Sequence, residues 1–159
     1  MGKIYKDEDI EMKSRFQIVS WDNKYNTGNE LIDNQHKELI RLTNELYNAC
    51  LSGKEAIKTI FPDTMKRMVS YVKFHFDAEQ KFLEQINYPD FSNHIKMHEE
   101  LIKKILDAVQ NYQDNNKFTP IQFVKTLREW VLSHIGFYDK QYAHFAAEQK
   151  KKGLINDIT

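Results

Sequence analysis

Residues 65–86 read MKRMVSYVKFHFDAEQKFLEQI, and within them Met65, Met68, Val72, His75, Glu79, Phe82 and Ile86 recur at spacings of three and four. Such a recurrence is the seam of an amphipathic helix, but two positions that should be apolar carry an imidazole and a carboxylate. The same pattern extends outward in both directions. Upstream, Ile32, His36, Leu39, Thr43, Leu46 and Cys50 form a seam that stops near Ser52-Gly53. Downstream, after Asn87-Tyr88-Pro89, a third seam runs Phe91, His94, His98, Leu101, Ile105, Ala108, Tyr112 and gives way to the polar turn 113–116. The fourth opens at Thr119-Pro120, a cap followed by a first-turn proline, and carries Phe123, Leu127, Trp130 and His134 to about Ala147. Pro62 either starts the second helix or kinks it. Four long helices with short connections predict an all-α, up-down-up-down antiparallel four-helix bundle.

The rest of the chain fits a single domain of 159 residues, with an N-terminal arm (1–28), the bundle (29–147) and a polar tail (148–159). In the arm, Phe16, Ile18, Val19, Trp21 and Tyr25 offer apolar surface for packing on the bundle. Lys+Arg and Asp+Glu are equal at 23 each, so there is no basic excess to track phosphates, and nucleic acid is not an expected ligand. No apolar run is long enough to span a membrane, and no hydrophobic signal segment follows Met1. A soluble, cytoplasmic protein is expected. The lone Cys50 reads as packing rather than chemistry.

The chemistry lies in the seams. One inward histidine is ordinarily a hydrogen-bonded core residue. Five of them with carboxylates, left unpartnered, would cost several kcal/mol each, more than a domain stable by ~5–15 kcal/mol can absorb. A bound metal removes that cost. His75 and Glu79 are four apart, as are His94 and His98, so each pair lies on one helical face. His134 and Asp139 are five apart, about 140° round on a regular helix, and the inward pattern resumes one residue late at Asp139 and Tyr142. A π-bulge would absorb the extra residue. Heights agree as well: His98 and His134 lie equally far from the turn near Asn116, and Glu79 and His98 nearly so from the turn near Tyr88. All seven residues gather toward one end of the bundle. Five imidazoles, two bridging carboxylates and a bridging oxygen leave one position open on two octahedral metals. Nitrogen and oxygen donors with an open position suit iron better than structural zinc, calcium or magnesium.

With His36, His75-Phe76-Asp77-Ala78-Glu79, His94-Ile95-Lys96-Met97-His98 and His134-Ile135-Gly136-Phe137-Tyr138-Asp139 in this order, the sequence resembles the hemerythrin family, in particular its bacterial branch. Trp21, Tyr25, Gly28, Ile32-Asp33-Asn34-Gln35, Tyr88-Pro89 and Trp130 extend the likeness over roughly residues 20–145. The resemblance implies that His94, His98 and His134 hold one iron and His36 and His75 the other. Glu79 and Asp139 would bridge them together with an oxo or hydroxo group, and dioxygen would bind at the open position of the second iron. It places Leu39, Phe76, Trp130 and Ile135 around that position. His144 falls outside the ligand set. The implied function is reversible dioxygen binding for storage, delivery or scavenging, without catalysis. The alternatives are an oxygen or redox sensor working through a protein partner at the arm, a weak di-iron peroxidase or oxidase, and a metal store. Di-iron oxidases in bundles use Glu-x-x-His pairs, and no histidine here has Glu three residues before it.

Overall fold

The computed structural model describes residues 16–114 and 118–156. It consists of five α-helical segments: α1 (Glu30–Leu51), α2 (Lys54–Gln85), α3 (Phe91–Gln113), α4 (Pro120–Ser133) and α5 (Asp139–Lys151). A turn of π-helix, His134–Tyr138, joins α4 to α5, so these two make one long fourth member of the bundle. Among the described residues there is no strand, and no helix is long and apolar enough to cross a membrane. Helix α1 packs against α2 and α4, and α2 against α3, the neighbour pattern of an antiparallel four-helix bundle.

Local chemistry sets the ends. Asn29 caps α1 by accepting from the Ile32 amide at 3.2 Å. Ser52 and Gly53 suffice to reverse the chain because Gly53 adopts φ 94°. Helix α2 closes on Asn87 at φ 51°, with Tyr88 N–H bonded to the Leu83 carbonyl (3.0 Å) and Asn87 N–H to that of Glu84 (3.1 Å), a Schellman arrangement. Pro62 lies inside α2, which begins at Lys54; the helix runs through the proline although the Lys58 carbonyl loses its usual donor. The fourth member also exceeds expectation, reaching Lys151 instead of ending near Ala147. A second Schellman cap at Gly153 explains the extra turn, with Leu154 N–H on the Gln149 carbonyl at 3.0 Å. The first residues of the polar tail are therefore helical.

The described part of the arm is tied down. Asn44 accepts from the amides of Ile18 (2.9 Å) and Val19 (3.1 Å) and donates to the Val19 carbonyl (2.8 Å). Arg128 holds the Ile18 carbonyl from the fourth member of the bundle. Val19 and Tyr25 are buried, Ile18 and Trp21 pack against the core, and Phe16 remains exposed. Residues 1–15 of the expected arm lie outside the described residues.

Two apolar clusters fill the bundle. The larger includes Leu39, Leu46, Met68, Val72, Phe76, Leu101, Leu127 and Ile135. The smaller gathers Phe82, Leu83, Ile86, Tyr88, Tyr142, Ala143 and Ala146. Between them lies a polar layer.

Candidate metal centre

Helix α1 contributes His36 to that layer, α2 contributes His75 and Glu79, α3 His94 and His98, and the fourth member His134 and Asp139; all seven are buried. Helical spacing delivers the α2 and α3 pairs, because residues four apart project from one face. His134 and Asp139 meet for a different reason. The Asp139 amide bonds to the His134 carbonyl, the i to i−5 pairing of a π turn, and this widened turn brings Asp139 Oδ1 to 3.0 Å from His134 Nε2. Tyr25 of the arm rests on the turn where Gly136 has no side chain; a Cβ there would lie 3.3 Å from the Tyr25 ring.

The two carboxylates each face two groups of imidazoles. Glu79 Oε2 lies 2.9 Å from His98 Nε2, 3.3 Å from His94 Nε2 and 3.9 Å from His75 Nε2, while Oε1 lies 3.9 Å from His36 Nε2. Asp139 places Oδ1 3.3 Å from His94 Nε2 and Oδ2 3.1 Å from His36 Nε2. Two sets of donors thus converge, one of Glu79, His94, His98 and His134 and one of His36, His75 and Glu79, each able to hold a metal ion.

Several of these atoms are close without being bonded. His36 Nε2, His75 Nε2 and both oxygens of Asp139 are buried and lack a hydrogen-bond partner. Distances near 3 Å without hydrogen-bond geometry mean that these atoms crowd a shared space instead of pairing with one another. Such orphans are rare in native cores and costly. The donors are imidazole nitrogen and carboxylate oxygen, and the single thiol among the described residues, Cys50, packs elsewhere against the larger apolar cluster. This donor set fits two divalent metals of borderline hardness, iron among them, and lacks the thiolates typical of structural zinc.

Neighbouring groups orient the donors. His75 Nδ1–H donates to Gln35 Oε1 at 2.9 Å, which leaves Nε2 as the lone-pair nitrogen facing Glu79. The Phe76 ring lies parallel to His98 at 3.6 Å between centroids, and Trp130 stacks on His134 at 4.2 Å. Phe76 and Trp130 also touch each other. Leu39 and Ile135 are buried in the same apolar cluster as Phe76. On the opposite side, the buried Tyr142 hydroxyl donates to Glu79 Oε1 at 2.5 Å.

Charge is balanced by these contacts. Burial alone would raise Glu79, but His134, His94 and His98 hold it well below the usual carboxylate range. Burial and Glu79 push Asp139 upward, and His134 and His36 outweigh them, so it too stays low. Burial drives His75 down to about 3, against the pull of Glu79. Burial works against charge on His134 as well, yet Asp139 and Glu79 reverse it and raise the group to about 9.

Gln35 and Tyr142 are the contributors whose roles the sequence did not disclose. Gln35 sits off the α1 seam, and its signal was only that it adjoins His36. Tyr142 follows the shifted inward pattern, and a phenol in a seam needs a partner for its hydroxyl. His144 is exposed and apart from the site.

A four-helix bundle with a buried cluster of histidines and carboxylates suited to two metal ions is the class of protein that fold and layer together define. The family model described as the Hemerythrin HHE cation binding domain matches residues 27–147, and the chain belongs to the hemerythrin family. It is 27% identical over 146 residues to the bacteriohemerythrin of Stenotrophomonas maltophilia (strain R551-3), covering 87% of this chain and 93% of that protein. It is 28% identical over 123 residues to a hemerythrin-like protein of Naegleria gruberi, covering 77% and 89%. A crystal structure of wild-type hemerythrin has the same fold, with a TM-score of 0.73 and 22% identity over 80% of this chain and 96% of that one.

Proposed function

We propose that this chain binds dioxygen reversibly at a non-heme di-iron centre. In this reading His94, His98 and His134 hold one iron, His36 and His75 hold the other, and Glu79 and Asp139 bridge. The observation that carries it is the division of five buried imidazoles into three and two, with both carboxylates reaching toward each group. Iron held by these residues would supply the electrons that dioxygen takes up on binding.

The protein's own residues then decide whether binding is reversible. Glu79 and Asp139 bring two negative charges that offset the metals in a site closed to water. Gln35 keeps the His75 lone pair aimed inward. Phe76 and Trp130 cover ring faces of His98 and His134, and Leu39 and Ile135 continue the apolar wall. An apolar wall of this kind would keep water and anions away from metals held in the layer. No substrate is transformed in this account, in keeping with hemerythrins as carriers or sensors of dioxygen rather than enzymes.

An oxygen electrode tests the reading. The anaerobic ferrous-loaded chain is expected to take up one dioxygen per pair of irons and return it under vacuum. Continued consumption in the presence of a reductant would instead mark a di-iron oxidase.

A further inference from the structure

Tyr142 has no exposed surface, and its ring is held by Phe82, Tyr88 and His94 at centroid distances of 5.7, 6.2 and 5.6 Å. Its hydroxyl has one described partner, Glu79 Oε1 at 2.5 Å. The other oxygen, Oε2, faces His98 and His94 at 2.9 and 3.3 Å. A carboxylate turns easily about its last bond, so without that anchor nothing on the Oε1 side holds its rotation except the 3.9 Å approach to His36. We propose that Tyr142 is the positioning residue of Glu79, fixing the rotation of its carboxylate so that one oxygen stays on the side of His36 and thereby setting the affinity of the His36/His75 position for its metal.

The proposal rests on the two-metal reading above and goes beyond it in making the two positions unequally dependent on one hydroxyl. The His94/His98/His134 position has three imidazoles and the nearby Asp139 Oδ1. The His36/His75 position has two imidazoles and Asp139 Oδ2, 3.1 Å from His36 Nε2, so a misdirected Glu79 still removes a larger share of its donors. Hydrogen bonds to ligating carboxylates commonly govern metal affinity by about 10- to 100-fold.

The test is a titration of the metal-free full chain with cobalt(II), followed by visible absorption and calorimetry to give two stepwise affinities. In Tyr142→Phe the weaker step is expected to fall by about 10- to 100-fold while the stronger step is unchanged. Phe82→Leu, which loosens packing on the Tyr142 ring but keeps the hydroxyl, should lower thermal stability and leave the ratio of the two affinities as in wild type. Fluorotyrosine incorporated at position 142 preserves ring and hydroxyl while altering the strength of the bond, and must move the same weaker step. A ratio that stays at its wild-type value in both Tyr142 variants overturns the role of Tyr142 alone. A wild-type chain that takes up fewer than two ions overturns the two-metal reading and this proposal with it.

Discussion

Metal loading should expel a proton from His134, and the structure gives the size of the effect. In the metal-free chain Asp139 and Glu79 overcome burial and raise His134 to about 9, so at pH 7 about 99% of this imidazole carries a proton, two pH units below its midpoint. A metal ligand must be neutral. Expelling the proton at pH 7 costs about 3 kcal/mol at ~1.36 kcal/mol per unit, on the order of 100-fold in apparent affinity, and that cost fades as pH approaches 9. The sign for folding without metal runs in the same sense: the raised His134 contributes stability that is complete below about 6.5 and is lost as pH rises through about 9. His75, lowered to about 3, acts at the other end, since the unfolded chain takes a proton below about 6.5 that the buried ring refuses. Calorimetry with cobalt(II) delivered from a weak chelator, in buffers of different ionisation enthalpy, counts the protons released. The count should fall by about one per chain between pH 7 and 9.5. An unchanged count over that interval would refute the charge balance assigned to His134, Asp139 and Glu79.

Gln35→Leu keeps volume but removes the acceptor of His75 Nδ1–H, and should destabilise the metal-free chain by about 1–3 kcal/mol in urea unfolding; no change would mean that the bond does not orient His75. Leu39→Ala opens the apolar wall and should speed autoxidation of the oxygenated protein, followed by the decay of its colour, and an unchanged rate would remove Leu39 from the wall. Asn44→Ala deletes three hydrogen bonds to the arm and is expected to cost about 1–3 kcal/mol. Hydrogen exchange at the Ile18 and Val19 amides should rise in that variant while exchange in α3 holds.

Much of this arrangement is legible in the chain because helical geometry is nearly rigid. His75 with Glu79 and His94 with His98 share faces by spacing alone, and the five-residue step from His134 to Asp139 requires a widened turn, found at His134–Tyr138. Pro62 was ambiguous for a physical reason: proline suits a first helical turn and is also tolerated inside a helix that tertiary packing supports. The end of α5 depends on a cap at Gly153, six residues past Ala147 and beyond the reach of the apolar pattern. Hydrogen bonds between helices are least visible. Gln35 meets His75 from forty residues away and Tyr142 meets Glu79 from sixty-three, and only the packed bundle sets which faces adjoin.

The optical spectrum of the iron-loaded protein, with iron counted per chain, tests the central claim most directly through a cycle of anaerobic reduction, air and removal of air. A coloured form that appears in air and bleaches when air is withdrawn, at two irons per chain, is the expected result. Iron that oxidises once and releases no dioxygen, or a stoichiometry other than two, would contradict it.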